Sequence, residues 1–248
     1  ERQRAGEFGG AYVHFFHRNL LDRIFEPESI DTTICNSTLH ELWSYGDGEE
    51  SVRSYLDEKF LQLRPGGRLI IRDVVGPEAA NQEVLLWCSD GDGQNLPPAE
   101  LAHPPNREAG WLQKLSTRSR FQLFASDFLG GKRPFRFTAL LDKHHPVFRL
   151  TSRQAAEFLS KKDYTDNWKS EMNEEFCFWS FSKWKAVLVE IGFRIQENSA
   201  SSSGSRVYTN PWTIEHRYNG HTEIMNINGL SQPWPPTNMV LVAEKSVH

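Results

Sequence analysis

Residues 29–42 read SIDTTICNSTLHEL. Ile30, Thr32, Thr33 and Ile34 are β-branched, and such side chains favour extended backbone. The run stops at Asn36 and Ser37, and His40 and Glu41 follow at once. An apolar strand ending in small polar groups and a titratable pair fits an open α/β sheet, where ligands sit beyond the carboxyl ends of the strands. The flanks agree with that reading. Residues 51–63, SVRSYLDEKFLQL, carry Val52, Tyr55, Leu56, Phe60 and Leu63 at helical spacing. RPGG at 64–67 ends this helix. RLIIRDVV at 68–75 is an almost continuous apolar run, the pattern of a parallel strand covered on both faces. AYVHFFHR at 11–18 mixes aromatic and β-branched residues and also reads as a strand. Strand, strand, helix, strand with short connections predicts an α/β layered sheet.

Further along, NLPPAELAHPPNREAG at 95–110 is rich in proline and reads as loop. SRQAAEFLSKK at 152–162 predicts a short helix capped by Thr151 or Ser152. In SFSKWKAVLVEIGF, residues 180–193, Trp184, Val187, Leu188 and Ile191 form one stripe. Ser182 is the expected N-cap, and Gly192 stands at the C-terminal cap. FRIQE at 193–197 follows as a strand. TIEHRYNGHTEIM at 213–225 predicts a hairpin turning at Asn219-Gly220, and TNMVLVAEK at 237–245 predicts a closing strand. The expected organisation is a partial Rossmann-like half over 1–95, a loop-rich and partly helical insertion over 96–170, and the helix, hairpin and closing strands of the same domain over 171–248.

Bulk composition excludes several classes. Lys and Arg number 28 against 32 Asp and Glu, a net charge of -4, so no basic footprint for duplex nucleic acid is expected. Cys35, Cys88 and Cys177 are far apart and odd in number, which argues against a disulfide framework or a cysteine zinc site. No run of about 18 apolar residues is present, so no membrane span is expected. The opening ERQRAGEFGG has no apolar core of a signal peptide. A reducing compartment fits, cytoplasmic or an organelle stroma or matrix.

Four pieces in order carry a resemblance: NLLDRIFEPESIDTTICNSTLHEL, LQLRPGGRLIIRDVV, WKAVLVEIGF and TNMVLVAEK. Together they resemble the later part of a class I S-adenosylmethionine-dependent methyltransferase. The resemblance covers roughly 1–80 and 180–248. It implies a Rossmann-like sheet, S-adenosylmethionine as cofactor, and methyl transfer by in-line displacement at the sulfonium methyl. In that family an acidic or amide residue leaves one strand to bind the adenine amino group, commonly twelve residues before the acid that opens the next strand. Asn19 precedes Asp31 by that spacing. The resemblance therefore implies Asn19 and the Leu20 backbone at the adenine, with Cys35, Asn36 and Ser37 beside the methyl group. The family's Gly-rich cofactor loop and the acid that follows it have no counterpart before residue 11. The sheet is thus expected to be incomplete at its N-terminal end, with an upstream segment of the same polypeptide required. EVLLWCSDGDGQN at 83–95 imitates that loop, but it follows the third matched strand, where a helix is expected, and a surface turn is the simpler reading.

Individual residues carry two readings each. His40 is a candidate general base, since imidazole titrates near neutrality, and Glu41 is a candidate to orient it; packing at a helix start is the rival. Asp73 ends the strand beside them and is a candidate for acceptor binding. Tyr208 and Trp212 are candidate walls of a substrate pocket, or staples for the hairpin. No metal site is expected. The acceptor expected is a small molecule, because the residues after Asn36 lack the proline-aromatic signature of base and glutamine methylation. Two other classes remain beside the enzyme. One is a non-catalytic Rossmann-like scaffold or partner-binding module of a larger protein. The other, a nicotinamide oxidoreductase, lacks a Tyr-x-x-x-Lys pair.

Overall fold

The computed structural model describes residues 14–97, 100–101, 108–132, 134–142, 145–198 and 204–246. Two sheets organise them. The first runs in the order β1-β2-β9-β6, with β7 also on β9. Its members are β1 (Ile30–Asn36), β2 (Leu63–Val74), β6 (Phe193–Ile195), β7 (Arg206–Tyr208) and β9 (Asn238–Lys245). β1 and β2 are parallel, and β9 is antiparallel to β2, β6 and β7. The crossover between β1 and β2 is made by α1 (Leu39–Tyr45) and α2 (Glu49–Gln62).

The expected apolar stripe of α2 is buried at Val52, Tyr55 and Leu56, with Lys59 and Gln62 also enclosed. It packs with α7 (Phe181–Ile191) on one face of the sheet, enclosing Leu39, Leu69, Ile71, Trp184, Val187, Leu188, Leu241 and Ala243. RPGG does not separate helix from strand as a loop, because β2 already begins at Leu63. Gly67 is needed there: a Cβ would lie 2.8 Å from the Arg64 carbonyl and 3.1 Å from that of Asp31. Gly192 closes α7 at φ 117°, where its two hydrogens clear the Phe60 ring. The N-cap of α7 is Ser180, whose hydroxyl accepts from Lys183 N at 3.3 Å. The expected cap, Ser182, instead donates its backbone N–H to Glu78.

Both-face coverage of 68–75 is not observed. Along β2 buried and half-buried residues alternate, and the ladder matches Ile34 with Ile70 and Asn36 with Arg72 on the second face. Ile34 is 70 % exposed on that face. Among the described residues β1 has β2 as its ladder partner and a free opposite edge. The expected strand at 11–18 lies partly outside the described residues; positions 14–18 are exposed and in no strand. Among the described residues no strand neighbours them, so their β propensity finds no ladder there. The segment instead ties to α2, through an Arg23–Glu58 ion pair and a Glu28 N–H to Leu61 carbonyl bond of 3.0 Å.

The second sheet is antiparallel throughout, in the order β4-β5-β3-β8. It joins β3 (Glu83–Cys88), β4 (Thr138–Asp142), β5 (His145–Thr151) and β8 (Thr222–Met225). Its strands therefore come from all three segments expected along the chain. Between them lie α3 (Ala109–Leu112), α4 (Thr117–Asp127), α5 (Ser152–Lys161) and α6 (Trp168–Glu171). The sheet's core is aromatic, with Phe121, Phe124, Phe148, Phe158, Trp168 and Tyr218 buried together. Thr151 caps α5 in a reciprocal box with Gln154. EVLLWC forms β3 where a helix was expected, and the Asp- and Gly-rich residues after it form its exit turn.

The hairpin expected at 213–225 does not form. Asn219-Gly220 does turn the chain, with Gly220 at φ 77°. The arm before it is helical. Asn210 caps it by accepting from Trp212 N at 3.0 Å, Pro211 occupies the first turn, and residues Ile214–Tyr218 continue as a π-helical turn. The arm after it is β8, which pairs with β3 rather than folding back on 213–218.

Candidate functional site

The carboxyl ends of β1 and β2 meet in a network centred on Asp73. Its side chain is fully buried. One oxygen accepts from Thr38 N at 3.1 Å and Leu39 N at 2.8 Å. The other accepts from Val74 N at 2.8 Å and from His40 Nδ1 at 2.6 Å. Because α1 has no cap from Thr38, Asp73 satisfies the start of that helix from the next strand. The carboxylate is thus saturated by the protein itself. Its place is behind the site, holding α1 and His40, and it presents no free oxygen to an acceptor.

His40 is buried, with its ring edge-on to Phe176 at 4.9 Å between centroids. With Nδ1–H donating to Asp73, Nε2 faces Glu174 Oε2 at 3.5 Å. Burial pulls the imidazole toward neutrality. The Asp73 hydrogen bond and the carboxylates of Asp73 and Glu174 outweigh it and leave the pKa raised. A ring held between two carboxylates favours the imidazolium, the form that cannot accept a proton. Glu41, one residue on, is exposed, and the orienting carboxylate is Asp73 rather than Glu41.

The other sequence-derived residues scatter. Asn36 is exposed and pairs across the ladder with Arg72, so it projects from the face opposite Asp73. Cys35 points to the covered face against Tyr55, and burial pushes its thiol up to about 11. Ser37 takes a left-handed conformation, φ 50°, unusual for a residue with a side chain. Arg72 holds it twice: the Ser37 N–H donates to the Arg72 carbonyl at 2.8 Å, and Arg72 Nη1 donates to the Ser37 hydroxyl at 2.6 Å. Asn19 closes its own turn, its side-chain oxygen accepting from Leu21 N at 2.9 Å, and Leu20 is exposed beside it. Neither stands at a strand end. Tyr208 lies half-buried on β7. Trp212 is exposed, stacked on His216 at 4.7 Å with the Arg217 guanidinium 5.3 Å from its ring centre.

Several residues near this edge were not singled out from sequence. Glu174 joins His40 to Tyr45, whose hydroxyl donates to Glu174 at 3.2 Å. Glu171 is nine-tenths buried; Asn167 donates to one oxygen at 2.7 Å and the other has no hydrogen-bond partner. Burial, then the neighbouring Glu174, raise the pKa of its carboxyl. Tyr164 is exposed and edge-on to Phe176 at 6.4 Å. Its hydroxyl is shifted upward, by burial first and then by Glu171, while Arg217 and Arg72 oppose the shift. The one sequence signal for this group is the acidic run in SEMNEEF at 170–176. Among the described residues no group of three or more His, Cys, Asp or Glu is arranged to hold a metal ion. A cavity of about 400 Å³ opens nearby, bounded by Trp43, Tyr45, Lys132, Asn173 and Glu175.

No protein-family model matches the sequence, and no curated protein does. Solved structures do show likeness. One is a SAM-dependent methyltransferase from Methanosarcina mazei, 14% identical, covering 100% of this chain and 76% of that one, with TM-score 0.42. Another is 1,6-didemethyltoxoflavin-N1-methyltransferase from Burkholderia thailandensis, solved with 1,6-didemethyltoxoflavin and S-adenosylhomocysteine. It is 12% identical, covering 99% of this chain and 56% of that one, with TM-score 0.39. A third is the [4+2]-cyclase SpnF, 12% identical, covering 100% of this chain and 62% of that one, with TM-score 0.33. A fold of itself fixes no chemistry, so function has to be argued from the site.

Proposed function

We propose that this chain forms the acceptor-side part of an S-adenosylmethionine-dependent methyltransferase acting on a small molecule. The observation that carries the reading is the edge where parallel β1 and β2 end. There the left-handed Ser37 is held by the half-buried Arg72 on one face of the sheet, and the Asp73–His40 pair stands on the other. The methyltransferase resemblance of LRPGGRLII and its neighbours supports the choice of chemistry.

The residues described do not complete a cofactor cradle. Asn19 is engaged in its own turn, Cys35 faces the covered side, and no Gly-rich loop lies against β1. We place the cofactor's remaining contacts on a further strand paired to the free edge of β1, whose exposed Ile34 marks the uncovered face. When bound, the cofactor supplies the electrophilic methyl group. This chain's residues hold the acceptor in position, which is itself a large part of the rate enhancement in a two-substrate transfer. His40 serves this by fixing α1 against β2 rather than by taking a proton.

Calorimetric titration with S-adenosylhomocysteine tests the reading. This chain alone should bind it weakly, and the longest native polypeptide containing the chain should bind it tightly. Absence of binding by that polypeptide overturns the proposal. The second reading, a non-catalytic module, is favoured by the saturated Asp73 and the enclosed His40. It expects no cofactor binding from either form. Among the described residues no helix is long and apolar enough to cross a membrane.

A further inference from the structure

We infer that Glu171 and Glu174, with Tyr45, Tyr164 and Phe176 around them, form a recognition site for an organic ammonium group on the small molecule this edge takes. The inference deepens the acceptor reading above and rests on it for the identity of the occupant, but not for the chemistry of the site.

Direct contacts gather these residues around His40, at the carboxyl ends of β1 and β2. One oxygen of Glu174 lies 3.5 Å from His40 Nε2, and the other accepts from the Tyr45 hydroxyl at 3.2 Å. Glu171 stands one tight turn earlier. The Glu174 N–H donates to the Glu171 carbonyl at 3.2 Å, and residues three apart in such a turn carry their side chains on the same side. The turn meets α1 a second time where the Tyr45 hydroxyl reaches the Ser170 carbonyl at 3.4 Å. Phe176 lies edge-on to His40 at 4.9 Å and to Tyr164, from the α5–α6 connection, at 6.4 Å. Tyr45 and Tyr164 are both exposed, so the group opens to solvent.

Glu171 is the residue that points to a ligand. It is nine-tenths buried, Asn167 donates to one of its oxygens at 2.7 Å, and the other oxygen has no hydrogen-bond partner. Among the described residues it makes no ion pair. Buried carboxylates are ordinarily paired. Glu157 shows that outcome, meeting Lys161 Nζ at 3.0 Å and accepting from Cys177 N at 2.6 Å. That pairing commits Lys161, whose ammonium lies 4.4 Å from the centre of the Phe176 ring. His40 is committed to Asp73 and shared with Glu174. One imidazolium does not neutralise Asp73, Glu174 and Glu171 together. Burial and Glu174 hold the Glu171 carboxyl above its ordinary range, a cost that a bound cation relieves. An ammonium group brings N–H donors for the orphaned oxygen, and aromatic ring faces attract it. Having no lone pair, it anchors the acceptor, and the methylated atom lies elsewhere on that molecule.

The test titrates benzylamine, protonated at neutral pH, and its uncharged counterpart benzyl alcohol into the full chain, followed by NMR. Benzylammonium should bind, and benzyl alcohol should bind at least about tenfold more weakly, as expected for loss of a charged hydrogen bond. Glu171→Gln and Glu174→Gln should each weaken benzylammonium by about tenfold as well. Asp166→Asn, which removes an exposed carboxylate just before Asn167, should leave its affinity unchanged. The contrast between the two probes needs no variant, so it decides the matter even if a substitution disturbs the fold. Equal binding of benzyl alcohol, an unchanged affinity in Glu171→Gln, an equal loss in Asp166→Asn, or no binding of benzylammonium overturns the inference. S-adenosylhomocysteine titrated into the longest native polypeptide separates the two claims. Glutamate-dependent ammonium binding without cofactor binding there leaves this site standing and removes the methyltransferase reading; cofactor binding without ammonium binding does the reverse.

Discussion

Beside each sheet an aspartate caps a helix from outside and holds a histidine Nδ1 at 2.6 Å, yet the two devices differ in depth. Asp73 caps α1 and holds His40; Asp92 accepts from Thr117 N at 2.9 Å at the start of α4 and holds His221. Asp73 is fully buried, and its histidine faces a second carboxylate. Asp92 is partly exposed and also accepts from the Thr117 hydroxyl at 2.6 Å, while 38% of the His221 side chain is open to solvent. Burial alone would raise the Asp92 carboxyl. The hydrogen bonds from Thr117 and His221 outweigh it, and the pKa falls. The same chemical pair is thus a buried strut at one sheet and a surface latch at the other. The difference lies in what surrounds it.

The largest expected effect is at the strut. Asp73→Ala leaves an unpaired buried imidazole and uncapped N–H groups, and should cost about 3–5 kcal/mol in urea denaturation. Asp92→Ala should cost about 1–3 kcal/mol, because water can replace part of what is lost. Equal losses would erase the distinction. His40 sharpens it through pH. Its folded pKa is raised, so its contribution is fully present below the unfolded value of about 6.5 and is lost as pH rises through the higher folded value. The stability gap between wild type and His40→Asn should therefore narrow across that window. A gap that widens with pH would show the ring is neutral. His221→Asn should cost no more than about 1 kcal/mol, as exposed pairs do. The smallest effect runs the other way. Glu171 has a raised folded pKa, so wild-type stability falls as pH climbs past the ordinary carboxyl range, and Glu171→Gln should be at least as stable as wild type at neutral pH. Loss of stability in that variant would show that the carboxylate is ionised and paired.

Much of the first sheet is legible in sequence. The stripes of α2 and α7 and the alternation of β9 announce themselves, because the burial of each follows its own periodicity; β1 and β2 are legible as strands, but their apolar runs overstate how much of each is covered. The second sheet is not legible in that way. β3 pairs with both β5 and β8, so the partners of EVLLWC lie some 60 and 140 residues away by the ladder matches Leu86 to Phe148 and to Ile224. At 213–225 the turn chemistry is right and the flank is wrong: Asn210 and Pro211 start a helix before the turn is reached. The site divides similarly. His40 and Asp73 are visible as titratable groups at strand ends. That they bond to each other, and that Glu174 closes the ring's far side, depends on residues 33 and 134 positions away from His40.

The bare side of β1 has a practical consequence for handling the molecule. A strand that, among the described residues, has no partner along one edge and turns an isoleucine to solvent is a template for copying itself onto another molecule. Concentrated solutions of this polypeptide should form sheet-rich clusters on warming. A lysine in place of Ile34 should delay their onset, as followed by light scattering, without touching the packed face where Cys35 resides.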